Sequence, residues 1–209
     1  MLKTNQPVLP NFLIAGAAKS GTSSLYHYLR QHPEVFMSDP KEPNFLYQGL
    51  GEKKACSPVA KGERIATRCY DKYCRYFEKA AGMKAVGEAS TTTLFYFEQA
   101  IAAIHHYLGD PAILIILRNP AERAYSNYNY LLVDMREELS FQEALRAEET
   151  RTRLGYGLMW RYRAAGLYAD PVRAYQQNFS RVKVILHEDL KRNPDLTTAQ
   201  IYRFLGVSP

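Results

Sequence analysis

Short apolar runs alternate along this chain with longer stretches in which apolar residues recur at helical spacing. Phe12 to Gly16 (FLIAG) and Ala112 to Leu117 (AILIIL) are almost continuously apolar, the pattern of strands covered on both faces in a parallel sheet. Lys84 to Glu88 and Val182 to Leu186 predict two further strands, and the segment from His32 to Met37 a short one. Between them the spacing predicts helices over Thr22 to Gln31, Tyr70 to Ala80, Leu94 to Leu108, Asn119 to Val133, Ser140 to Thr150, Asp170 to Gln177 and Pro194 to Leu205. In the Tyr70 helix, Tyr73, Tyr76 and Phe77 share one face. Residues 49–68 are polar with scattered glycines, so 46–73 reads as a lid or substrate loop. This alternation implies right-handed crossovers and an α/β fold, a single domain with a central parallel sheet flanked by helices. With 209 residues, 46% of them hydrophobic, the chain has material for one sizeable core.

Two places in this pattern carry chemistry. The first strand runs through Ala17-Ala18-Lys19-Ser20-Gly21-Thr22-Ser23 straight into a helix, so backbone N–H groups, a helix N-terminus and the Lys19 charge form an anion site. A nucleotide hydrolase would need Gly, four residues, then Gly-Lys-Ser/Thr. Gly16 and Gly21 have that separation, but Thr22 stands where the lysine belongs, and no strand ends in an aspartate placed for magnesium. A metal-dependent triphosphatase is disfavoured; another phosphate loop, or a plain turn with an exposed lysine, stays open. At the second place Arg118 ends the Ala112 strand, where open α/β sheets bind ligands, and Asn119 and Pro120 start a helix that carries Ser126 two turns on. Arg118 and Ser126 suit one phosphate between them. The same residues also allow Arg118 to pair with Glu122 or Glu88, with Ser126 as surface.

As an ordered set these motifs resemble the sulfotransferases that use 3′-phosphoadenosine 5′-phosphosulfate (PAPS), more the heparan-sulfate-type and related bacterial branch than the small-phenol branch. Further matches are Pro40-Lys41-Glu42-Pro43-Asn44-Phe45, Gly87-Glu88-Ala89-Ser90, Gly166-Leu167-Tyr168 and Val184-Ile185-Leu186-His187-Glu188-Asp189-Leu190, so the resemblance spans nearly the whole chain. It implies a P-loop-kinase-like sulfotransferase fold, PAPS as sulfuryl donor, 3′-phosphoadenosine 5′-phosphate (PAP) as product, and no metal. It places Lys19, Ser20, Gly21, Thr22 and Ser23 on the 5′-phosphosulfate and Arg118 with Ser126 on the 3′-phosphate. Glu42 falls on the family's general base, with Lys41 helping to neutralise the sulfuryl group and Lys19 at the leaving phosphate. Without the resemblance, Lys41-Glu42-Pro43 reads as a charged turn. Glu88, at a strand end, is the rival base, or a substrate-binding carboxylate, or the group that orients Lys41 or Arg118. Ser90 and Tyr168 are expected at the substrate. Family members continue past the segment matching Phe204-Leu205-Gly206 into a basic loop over the 3′-phosphate, so 1–209 reads as a sulfotransferase domain without that segment.

Charge and cysteine content refine the picture. A net charge of +6 suits an anionic donor, and the basic residues are too scattered for nucleic acid to be expected as partner. Cys56, Cys69 and Cys74 are odd in number and lack zinc-knuckle spacing, which predicts free thiols in a reducing, cytoplasmic setting. No run approaches the roughly 20 apolar residues that cross a bilayer, and the N-terminus lacks a signal-peptide core, so a soluble chain without a membrane partner is expected. None of the five histidines shares metal-ligand spacing with another. The acceptor expected is a small-molecule, carrier-bound or carbohydrate hydroxyl or amine; the oligomeric state is not legible. Two other readings are a kinase-like enzyme with an altered phosphate loop and a non-catalytic nucleotide-binding module. Lys19, Lys41 and Glu42 together favour catalysis, since a binding module needs no base.

Overall fold

In the computed structural model, which describes residues 7–50 and 67–209, five strands form one sheet. They are β1 (Phe12–Gly16), β2 (Val35–Met37), β3 (Ala85–Ala89), β4 (Ala112–Leu117) and β5 (Val182–Leu186), in the order β2-β3-β1-β4-β5. Every pairing is parallel, with Phe12 opposite Gly87 on one side and Ala112 on the other. The chain builds to one side of β1 and then crosses to the other. That reversal opens a crevice beyond the carboxyl ends of β1 and its two neighbours.

Side-chain alternation divides the sheet into two buried layers. Leu13, Ala15, Ile113 and Ile115 pack with α2 (Tyr70–Arg75), α4 (Phe97–Leu108) and α7 (Ala169–Asn178). Phe12, Ile14, Leu114 and Ile116 pack with α1 (Thr22–Arg30), α8 (His187–Arg192) and α9 (Pro194–Leu205). Both faces are covered, which is why β1 and β4 read as unbroken apolar runs. Gly87 is needed where β3 meets β1: a Cβ there would strike the Phe12 ring and lie 2.7 Å from Met37 Sδ.

A third, smaller cluster joins α5 (Pro120–Val133), α6 (Phe141–Arg153) and the segment after it, through Tyr128, Leu131, Trp160 and Tyr162. Both helices start as their sequences dictate. Asn119 Oδ1 accepts from the N–H groups of Ala121 at 3.0 Å and Glu122 at 3.3 Å, ahead of Pro120. Ser140 and Glu143 form a reciprocal capping box.

Several elements differ from the sequence expectation. The helix expected over Leu94 to Leu108 is broken at Tyr96, and a one-turn helix α3 (Thr92–Phe95) precedes α4. Thr93 Oγ1 donates to the carbonyls of Ala15 and Ser90, so tertiary bonds rather than periodicity set this turn. The helix expected through Ala80 closes at Arg75, followed by a 3-10 turn over Glu78–Ala80 that lets Phe77 and Ala80 reach the core. α8, six residues long, is too short to show a period in sequence. Much of the lid expected at 46–73 lies outside the described residues, as does Cys56. Cys69 and Cys74 are free thiols. No described helix is long and apolar enough to cross a membrane.

Candidate active site

Beyond Gly16 the chain turns through residues 17–21 into α1. Ser20 N–H donates to the Ala17 carbonyl at 3.3 Å, and Ala17 N–H reaches across to the Ile116 carbonyl of β4 at 2.7 Å. The helix opens with no side-chain cap and no acidic residue in its first turn. Its first N–H groups therefore have no partner within the helix, and the helix dipole favours an anion in front of them. Gly21 carries φ of 97°, and a Cβ there would stand 2.7 Å from His187 Nδ1, so the loop closes only around glycine. That Nδ1 is buried and without a hydrogen-bond partner.

Four described non-glycine residues have left-handed φ, and three of them surround this loop: Lys19 at 66°, Glu42 at 63° and Asn44 at 54°. Strain concentrated in this way marks positions held for a purpose other than folding. Lys19 Nζ lies 4.0 Å from the centroid of the Tyr130 ring on α5. Burial lowers the Lys19 pKa below its usual 10.5; Asp134 opposes that shift, and Arg118 and Lys41 add to it by repulsion. An anion among these three cations relieves the repulsion.

Glu42 lines the same space. Its Oε1 accepts from Lys41 Nζ at 2.7 Å, and its Oε2 from Thr91 N–H at 2.9 Å. The backbone beneath it is pinned: Glu42 N–H donates to the Ala89 carbonyl at 2.9 Å, Asn44 N–H to Ser90 Oγ at 3.0 Å, and Thr92 Oγ1 to Asn44 Oδ1 at 2.7 Å. Lys19, Thr22 and Ser23 line a cavity of about 310 Å³ together with Lys41, Glu42 and Thr91. It holds a carboxylate, two ammonium groups and an uncapped helix end within one small volume. Such a set can withdraw a proton from a nucleophile and receive charge on a departing phosphate.

A profile of the Sulfotransferase family matches residues 10–208. The chain belongs to the sulfotransferase family. The crystal structure of a sulfotransferase from Alicyclobacillus acidocaldarius superposes with a TM-score of 0.88 at 42% identity, over 96% of this chain and 82% of that one. Among curated relatives, carbohydrate sulfotransferase 15 of Rattus norvegicus is 26% identical over 96% of this chain and 44% of its own length. Heparan sulfate glucosamine 3-O-sulfotransferase 6 of Mus musculus is 27% identical over 95% and 52%. The chain thus spans about half the length of these relatives. Family and fold support sulfuryl transfer as the type of chemistry.

Around this sulfotransferase loop the remaining candidates separate. Arg118 leaves the end of β4, and its Nε and Nη2 both donate to Glu122 Oε2 at 3.2 Å. Glu122 is largely exposed, so this pair is weak and exchangeable for a stronger anion. Ser126 lies half-buried one turn further along α5, and neither residue lines the cavity. Glu88 does not orient Lys41, which bonds Glu42, nor Arg118, which bonds Glu122. It lies beneath the site, fully buried, taking the Tyr73 hydroxyl on one oxygen and the Ser90 hydroxyl on the other at 2.5 Å. Burial pushes its pKa up from 4.5 to about 7, against the two hydroxyl bonds and with a further rise from Glu42. Ser90 is buried too and reaches the cavity only through Asn44. Tyr168 donates its hydroxyl to the Arg118 carbonyl at 3.1 Å and lines a neighbouring cavity. Sequence reasoning missed Thr91 and Asn44, although both stand inside or beside quoted motifs, and missed Tyr130, one helical turn past Ser126 on α5. Among the described residues no group of three or more His, Cys, Asp or Glu side chains converges to hold a metal ion.

Proposed function

We propose that this chain transfers the sulfuryl group of PAPS to a hydroxyl, or an amine, of an acceptor by in-line displacement. One observation carries this reading: Glu42 and its partner Lys41 line one cavity with Lys19 and the uncapped start of α1. Glu42 takes the acceptor proton as the new bond to sulfur forms. The bond from sulfur to the bridging oxygen breaks, and its electron pair leaves on the 5′-phosphate of PAP. Lys19 and the N–H groups of Gly21, Thr22 and Ser23 stabilise that charge, and Lys41 offsets charge on the sulfuryl oxygens. Ser20 completes the loop. Arg118 exchanges Glu122 for the 3′-phosphate, with Ser126 beside it. The acceptor is a small molecule, a carrier-bound group or a carbohydrate, reached without nucleic acid or membrane.

Calorimetric titration with PAP in the absence of magnesium, with ATP as comparison, tests the donor site. A preference for PAP that Arg118→Ala abolishes is expected; tighter, magnesium-dependent ATP binding would overturn the reading in favour of a kinase. Glu42→Gln is expected to lower kcat by about two to four orders of magnitude while PAP affinity stays unchanged. An active Glu42→Gln enzyme would transfer the base role elsewhere.

A further inference from the structure

Next to the catalytic cavity is a second one of about 190 Å³, and the two share Ala18, Thr91 and Leu158. Thr91 is the residue whose N–H and hydroxyl hold the Glu42 carboxylate. The second space therefore begins beside the proposed base. It is lined by Leu94, Phe95 and Phe97 from α3 and α4, by Ala165 and Leu167 from the segment that leads into α7, and by Pro171 in the first turn of α7.

Two of the three polar side chains on this wall are engaged elsewhere. The Thr91 hydroxyl is on Glu42, and the Tyr168 hydroxyl donates to the Arg118 carbonyl. The Asp170 carboxylate is 79% exposed and only loosely paired with Arg173 at 3.0 Å, so it offers an acceptor at the solvent-facing rim alone. No lysine or arginine lines the space. Away from Asp170, a sugar hydroxyl seated against the leucine and phenylalanine side chains would lose its water without gaining a side-chain partner, which costs about 1–3 kcal/mol per group. A sulfated or carboxylated sugar would meet no cation. An apolar group loses nothing and gains contact with the leucine and phenylalanine side chains. At ~30 Å³ for a water-sized group the cavity takes about six such groups, and apolar cavities of about 150 Å³ accept benzene.

We infer that the acceptor is an alcohol with an apolar arm, a single aromatic ring or a chain of about six carbons, seated in this second cavity with its hydroxyl toward Glu42. The inference rests on the proposed sulfuryl transfer and narrows its acceptor to the apolar class.

Two measurements on the full chain separate this inference from the donor reading. Benzyl alcohol and 1-hexanol serve as probes of the second cavity, by saturation-transfer NMR and as acceptors with PAPS; glucosamine is the polar comparison. PAP binding is followed by calorimetry in the same samples. The expected result is sulfation of the apolar alcohols over glucosamine, with KM raised at least tenfold in Ala165→Phe and PAP affinity unchanged. Leu167→Ser, at the exposed rim, is expected to raise KM in the same direction without disturbing thermal melting, so a misfolded Ala165→Phe protein does not end the test. Glucosamine as the better acceptor, or alcohol kinetics indifferent to both substitutions, would overturn the inference while leaving the donor site standing. A loss of PAP affinity in Ala165→Phe would show that the nucleotide occupies this cavity, and overturns it as well. No PAP binding to the wild-type chain removes the donor reading and this inference with it.

Discussion

Glu88 shows how far one side chain's surroundings can shift its role. Its carboxyl is fully buried with only two hydroxyls for company, and its pKa rises to about 7 because the charged form is poorly solvated there. A group whose folded pKa exceeds its unfolded value stabilises the fold at low pH. That contribution is complete below about pH 4.5 and fades as pH rises through about 7. A shift of this size corresponds to about 3 kcal/mol, so thermal melting is expected to fall between pH 5 and pH 8. Glu88→Gln should flatten that dependence, and an unchanged slope would assign it to another group. Sequence indicated Glu88 as a carboxylate at a strand end within a motif, with the roles of rival base, substrate-binding group or orienting partner left open. Nothing in the local pattern shows that Tyr73, in a helix fifteen residues earlier, reaches it. Lys19 and Glu42 were legible because each occupies a motif with fixed neighbours. Their shared left-handed backbone was not, since sequence gives no sign of left-handed φ at residues other than glycine, asparagine or aspartate.

Strands and long helices were legible because β1, β4, α5, α6 and α9 carry two-sided burial, caps or clear periodicity. Segments held by side-chain bonds were not, and residues 154–166 are the clearest case. Two carboxylates hold them to α6 and its approach. Glu137, shielded from solvent, binds Arg151 and accepts the Tyr162 hydroxyl at 2.7 Å. Glu148 accepts the N–H groups of Arg163 at 2.8 Å and Ala164 at 3.0 Å. Burial alone would raise the Glu137 pKa, but the Arg151 and Tyr162 bonds prevail and hold it at about 2. Removing one partner of such a shielded pair leaves an unmatched charge, so Glu137→Gln is expected to cost about 3 kcal/mol in denaturant unfolding. A loss below about 1 kcal/mol would mean that water enters and compensates. Because Leu158 and Met159 line the candidate cavity, the same variant should raise KM for the proposed acceptor before it affects PAP binding.

At the scale of the molecule, a net charge of +6 is spread over the surface, but Lys19, Lys41 and Arg118 concentrate it where β1 and its neighbours end. The attraction of these partly exposed cations for an anionic nucleotide is screened by salt, with the Debye length falling from about 10 Å at 0.1 M to about 3 Å at 1 M. PAP affinity is therefore expected to weaken several-fold between about 50 and about 300 mM salt. Affinity indifferent to salt in that calorimetric series would mean that hydrogen bonds rather than charge hold the nucleotide. The sheet order makes this concentration possible, since β1 sits between β3 and β4 and all three end at the same crevice. The third cluster adds a property of a different kind. Trp160 is the only tryptophan of the chain, buried with the Arg136 guanidinium 4.8 Å from its ring, and Arg136 itself lines the candidate cavity. A ligand that draws on Arg136 alters the charge above a single indole, so the native emission spectrum doubles as an optical gauge of occupancy, without dye or tag.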